Sequence, residues 1–249
     1  MKKKNRPQQS FTPSPEYDKV DRSPIVPQRS KLKTELHIRI RPDLTAKQQE
    51  LLSLINSKEC KIIFIRGCAG SSKTFCSVMG ALKLLSDKKV SDLIYLRSIV
   101  ESSDSHLGYL KGDLNEKISV YLSPLMDKLE ELLPKNEVDM LMKDNRISGQ
   151  PINFLRGINW NSKIILADEC QNMSFRELTT VVTRIGQFSK LFVLFDDTQS
   201  DIKNSGAYQM MSMFNDEESR NKGIFIFEFS DDDIVRSELV KFIVRRLKH

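Results

Sequence analysis

The chain has 249 residues, 39% hydrophobic and 29% charged, with a formal net charge of +6. That length is enough for one sizeable core and a little more than one average domain. No apolar run approaches the ~20 residues that cross a bilayer, and the N-terminal MKKKNRPQQS lacks the apolar stretch of a secretion signal. These features exclude a membrane-spanning or membrane-bound reading and point to the cytoplasm. Cys60, Cys68, Cys76 and Cys170 have no metal-site spacing and are expected to be free thiols.

Residues 1–43 carry 11 Lys/Arg and 5 Asp/Glu, which leaves the other 206 residues with 28 of each, so the basicity belongs to the tail. Six of the nine prolines fall there too, whereas every glycine lies at or beyond Gly67. A basic, Pro-rich segment cannot bury enough apolar surface to order itself, so residues 1–33 are expected to be disordered and 34–249 to form the folded domain. Such an arm could contact nucleic-acid phosphates or simply be a solvated tail.

Glu35 to Ile40 alternates like a strand, and Thr45 opens a helix with Leu51, Leu52 and Ile55 on its apolar side. Gln48 completes a Thr45-x-x-Gln48 capping box; a glutamine just upstream of a phosphate loop could also read adenine. The apolar run Ile62-Ile63-Phe64-Ile65 predicts a buried strand near 61–66. Directly after it stands Gly67-Cys68-Ala69-Gly70-Ser71-Ser72-Lys73-Thr74, which with Phe75 is expected to contact the nucleotide, and a helix follows over 73–86. Strand, small-residue loop and helix in that order predict a phosphate-binding loop: backbone N–H groups converge on phosphate oxygens, Lys73 neutralises the β- and γ-phosphates, and the Thr74 hydroxyl can ligate Mg²⁺. Ser72 stands where glycine usually precedes the lysine, so a positive φ there would strain the loop.

A strand near 92–97 and a helical region 114–133 follow, with Pro124 expected to kink or divide the helix. Residues 136–150 are polar and read as a surface insertion, and a short strand is expected near 152–155. Lys163 to Ala167 is a buried-strand pattern that ends in Asp168 and Glu169. In a parallel sheet Asp168 would emerge beside the phosphate loop to hold Mg²⁺, and Glu169 would position the attacking water. The alternative, that both carboxylates cap the next helix, is weakened because Ser174 and Glu177 already form a capping box for a helix over 175–186. Leu191 to Phe195 is a further buried strand, ending in Asp196-Asp197-Thr198-Gln199. Gln199 is a candidate γ-phosphate sensor and Gln171 a second one. Residues 203–222 read as another surface insertion, before a strand at 224–229 and a terminal helix at 233–247.

Strands alternating with helices predict an α/β P-loop NTPase fold, a doubly wound, mostly parallel sheet with helices on both faces and the ligand at the carboxyl ends of the strands. Several segments in order carry a family resemblance: the phosphate loop, Arg97 to Glu101, Leu107 to Lys117, Phe154 to Gly157, Asp168 to Asn172, Thr183 to Gly186, Asp196 to Asp201 and Asp233 to Arg236. Over roughly residues 36–249 the chain resembles the PhoH family, the phosphate-starvation-inducible ATPases of bacteria and their phages, related to superfamily-one helicases.

The resemblance implies ATP binding and hydrolysis with Mg²⁺, a link to single-stranded RNA or another nucleic acid, and a host cytoplasmic location if the chain is phage-encoded. With length for one motor lobe, strand separation is expected to require a homo-oligomer, for example a hexameric ring, in which a neighbour's arginine reaches the nucleotide. Arg184 and Arg236 are the candidates. Arg184 could instead act in its own subunit or cap a helix C-terminus, and Arg236 could pair with Asp231, Asp232 and Asp233. The opposing function class is a slow nucleotide-binding regulatory module that works through protein partners.

Overall fold

The computed structural model describes residues 32, 34–41, 43–97, 114–150, 152, 155, 158–196, 199–202, 205–235 and 237–247. Residues 1–31 and 33 of the expected disordered tail, Arg236, Asp197 and Thr198, and most of the 107–117 and 154–157 motif segments lie outside them, whereas Leu32 is described and buried.

Six strands make one sheet: β1 (Ile62–Arg66), β2 (Asp92–Arg97), β3 (Ile147–Gly149), β4 (Lys163–Asp168), β5 (Lys190–Phe195) and β6 (Ile224–Glu228). Their spatial order is β3-β2-β4-β5-β1-β6, and every pairing is parallel. From β1 the chain skips two positions to reach β2, and β4 and β5 fill that gap later. The α/β P-loop NTPase architecture expected from the sequence is therefore present.

Because side chains alternate along a strand, each strand feeds two cores. Ile63, Ile65, Leu166, Phe192 and Leu194 face one layer, formed by α1 (Ala46–Asn56), α2 (Lys73–Ser86), α3 (Leu114–Leu132) and α4 (Lys135–Lys143). Phe64, Ile165, Ala167, Leu191 and Val193 face the other, formed by α5 (Phe175–Val182) and α6 (Gly206–Met213). Burial on both faces explains why these strands read as continuous apolar runs. The remaining helices are α7 (Glu217–Lys222) and α8 (Glu238–Leu247).

Several expectations are corrected. Residues 35–40 form no strand: Leu36 N–H donates to Ser86 Oγ, His37 N–H to Glu137 Oε2 and Arg39 N–H to the Leu132 carbonyl, so the segment lies across helices, with Leu36 buried and Ile38 packed on their layer while Ile40 is exposed. The 136–150 stretch is not an insertion but α4 and the edge strand β3, with Val138, Leu141 and Ile147 buried. That edge strand precedes the one expected at 152–155, where the described residues Ile152 and Leu155 lie in no strand.

Helix α3 runs through Pro124 undivided. Helix α5 stops at Val182, because Arg184 to Gly186 turn away to bond Trp160: Trp160 N–H donates to the Arg184 carbonyl and Gly186 N–H to the Trp160 carbonyl. The 203–222 stretch contains α6, whose Ala207, Met210 and Met211 are buried, and α7. The terminal helix, expected from 233, starts at Glu238, after a short 3-10 turn at Asp231–Asp233 closed by a Ser230–Asp233 capping box.

Candidate nucleotide site

The site is built where β1 ends and α2 begins. Gly67 has to be small, since a Cβ there would lie 2.8 Å from both Phe229 Cβ and Ser71 Oγ. Gly70 (φ 86) and Ser72 (φ 68) both take left-handed backbone, the conformation the sequence flagged at Ser72. Ser72 is the N-cap of α2 yet makes no side-chain cap, which leaves the first-turn N–H groups free to meet an anion. Ser71 is fully buried and its Oγ donates to the Cys68 carbonyl at 2.8 Å.

Lys73 Nζ donates to the Gly67 and Cys68 carbonyls at 2.6 and 3.0 Å. Burial lowers its pKa first, and the carboxylates of Asp196, Asp168 and Glu169 pull it back. Thr74 Oγ1 lies 3.4 Å from both Asp168 carboxylate oxygens, so parallel β1 and β4 deliver the hydroxyl and the carboxylate to one point, as expected. Asp168 is 5% exposed. Its Oδ2 accepts from Tyr95 Oη at 3.1 Å and its Oδ1 from the Glu169 N–H at 3.1 Å. Burial, and then the Glu169 charge, raise its pKa.

Glu169 adopts φ 54 and caps no helix with its side chain. The Ser174–Glu177 box serves α5 instead, so the capping explanation of the carboxylate pair fails. Gln171 is 1% exposed and bridges two groups: its Nε2 donates to Glu169 Oε2 at 2.6 Å, and its Oε1 accepts from the Asp196 N–H at 3.1 Å. Gln199 lies on the wall of the same cavity, held by its N–H to the Asp196 carbonyl. The cavity measures about 410 Å³ and takes in Ala69, Gly70, Lys73, Thr74 and Asp168. Among the described residues no three His, Cys, Asp or Glu side chains cluster as a self-sufficient metal site.

Gln48 is not on that wall; its Oε1 accepts from the Thr45 N–H in the capping box that starts α1. Arg184 is not there either: its carbonyl pairs with Trp160 before β4 starts, at the opposite edge of the sheet. The sequence reading missed Arg41, Lys128, Glu131 and Val235 on the wall, and Tyr95 behind Asp168. Tyr95 looked like one more apolar residue of a strand, Arg41 comes from the segment before α1 and stacks 5.0 Å from the Phe75 ring, and Val235 N–H donates to the Gly70 carbonyl at 3.2 Å. Only Tyr95 carried a signal, a hydroxyl inside a buried strand.

A family model described as PhoH-like protein matches residues 39–248. A PhoH-like protein of Synechocystis is 32% identical over 203 residues, covering 80% of this chain and 60% of its own length. A Mycobacterium tuberculosis PhoH-like protein is 34% identical over 208 residues, 82% of this chain and 57% of its own length. Protein PhoH of Escherichia coli K12 is 29% identical over 197 residues, 77% of this chain and 54% of its own. The chain thus spans somewhat over half the length of these curated relatives. On the family match and these identities, the chain belongs to the PhoH-like protein family.

Proposed function

We propose that the domain binds ATP with Mg²⁺ and hydrolyses it, and that it spends the cycle as a helicase-related motor or switch on single-stranded RNA within a homo-oligomer. The observation that carries hydrolysis is Thr74 Oγ1 standing 3.4 Å from both oxygens of the buried Asp168, next to a helix N-terminus with uncapped N–H groups. One hydroxyl and one carboxylate suit a divalent cation whose remaining ligands are phosphate oxygens and water. When bound, Mg²⁺ would neutralise charge on the β- and γ-phosphates.

The chain's own residues do the rest. Lys73 exchanges its two loop carbonyls for phosphate oxygens, and Tyr95 holds the Asp168 carboxylate in place. Glu169, steadied by Gln171, orients the attacking water. Through Gln171 the same carboxylate is tied to the end of β5 and to Gln199, a short route by which loss of the γ-phosphate moves the sheet edge.

Lys73→Ala is expected to abolish nucleotide binding or turnover with unchanged circular dichroism. Glu169→Gln is expected to bind ATP and hydrolyse it at least ~100-fold more slowly, the usual contribution of general acid–base chemistry. Wild-type turnover in both variants would overturn the reading. Stimulation of ATPase by single-stranded RNA supports the motor, whereas a flat, slow rate identifies the regulatory module.

A further inference from the structure

At the edge of the sheet opposite the nucleotide site lies an open groove of about 1030 Å³. Among the described residues its walls carry Lys58, Lys61, Lys89, Lys190 and Lys222 and no carboxylate. The lysines come from separate segments: the link between α1 and β1, the turn after α2, the first residue of β5 and the last of α7. Lys190 is committed to the Ser57 and Cys60 carbonyls at 2.5 and 2.7 Å, and Lys89 pairs with Asp87. Lys58, Lys61 and Lys222 are exposed and form no ion pair with a described residue. Glu59, next to Lys58 in the chain, is engaged with Ser57 Oγ.

Between the lysines stands Phe188, 75% exposed and held at φ 59. A left-handed backbone is unfavourable for a bulky side chain, and an exposed phenyl ring gains nothing from burial. Lysines at helix C-termini are accounted for by the helix dipole, which explains Lys222 and leaves the ring unexplained. An aromatic face between mobile cations, in an open channel, is what a flexible polyanion with flat bases requires: cations track the backbone while a base stacks on the ring. A compact anion would instead call for a closed cradle with converging donors.

We infer that this groove binds single-stranded nucleic acid, with Phe188 stacking a base and Lys58, Lys61 and Lys222 contacting phosphates. The inference deepens the nucleic-acid part of the function proposed above and rests on it. Both α2 and β5 run from this groove to the nucleotide site, α2 from Leu84 back to Lys73 and β5 from Lys190 to Phe195, so strand and nucleotide sit at two ends of the same rigid elements.

The test is fluorescence anisotropy of a labelled 12-nucleotide oligouridylate with the full chain, without ATP, across a salt series. Phe188→Ala is expected to weaken binding about 5- to 100-fold with an unchanged salt slope. Lys58→Glu combined with Lys222→Glu should weaken it and make the slope of log affinity against log salt shallower by about 1.4, from two lost phosphate contacts. Basal ATPase should be unchanged in both, and both should keep the circular dichroism of the folded chain. Wild-type affinity in both variants places the strand elsewhere and overturns the groove while leaving RNA action standing. No binding by the wild-type chain overturns both the groove and the RNA reading, and leaves ATP hydrolysis to be judged on Lys73→Ala.

Discussion

Ser72 holds φ 68 and ψ 22 at the point where the phosphate loop becomes α2, a conformation that costs a non-glycine residue about 1 kcal/mol. Ser72→Gly is therefore expected to raise the melting temperature by roughly 2–4 °C with nucleotide binding retained, read by calorimetry. Asp168 makes the opposite kind of compromise. Its pKa is raised in the fold, so the ionised carboxylate that the proposed cation site calls for costs stability at neutral pH. Asp168→Asn should melt higher than wild type in the absence of nucleotide and lose Mg²⁺-dependent turnover, as expected where stability is traded for activity. The buried thiols set an alkaline limit: burial pushes Cys60 up to about 11 and Cys76 up to about 12, from an ordinary 9.0. Since the folded values lie above the unfolded one, their contribution to stability is full below pH 9.0 and is lost as pH rises towards 11 and 12. Unfolding followed by circular dichroism should set in across that window, and neither sulfur should react with iodoacetamide at neutral pH until the chain unfolds.

Between elements, α1 packs closely against α2 where Gly80 meets Ile55. A Cβ on Gly80 would lie 2.7 Å from Ile55 Cγ2, a side chain that is itself fully buried. Helix propensity alone favours Gly80→Ala by about 1 kcal/mol, whereas overpacking costs about 1–3 kcal/mol. The packing effect is expected to win, for a net loss of up to about 2 kcal/mol in urea unfolding. Ile55→Ala should be less damaging in the Gly80→Ala background than alone, the coupling of residues in contact. This contact matters for function because α2 begins with Lys73 and Thr74, so a shift of its far end moves the phosphate site.

On the scale of the whole molecule, Leu32 is 5% exposed and already belongs to the core beneath α1 to α4. Removing residues 1–31 should leave ATPase activity and stability unchanged, whereas removing 1–33 should cost about 1.5–3 kcal/mol through the loss of one buried leucine. Subunit mixing addresses the oligomer: Lys73→Ala and Arg236→Ala chains, each inactive alone, are expected to recover ATPase together if Arg236 serves a neighbour's nucleotide. Confirmed exchange without recovered activity would falsify that role.

The local sequence determined the order of strands and helices around the nucleotide, because period-two and period-3.6 patterns, capping boxes and a Gly-rich loop are written within a few residues of each other. Hence β1, β4, β5, the Thr45 and Ser174 caps and the Lys73–Thr74–Asp168–Glu169 set were all legible. Tertiary structure decided what depends on distant neighbours. Residues 35–40 alternate like a strand, but among the described residues they bond to helices and not to a strand edge. The polar stretch before β4 becomes α4 and β3 because the β2 edge offers it hydrogen bonds. Trp160 stops α5 early by recruiting Arg184 and Gly186, and Tyr95 reaches Asp168 only because β2 pairs with β4 in register, Arg97 beside Asp168. Lys58 and Lys61 precede Phe188 by more than 120 residues and Lys222 follows it by 34, and only the shared amino-terminal edge of a parallel sheet brings them together.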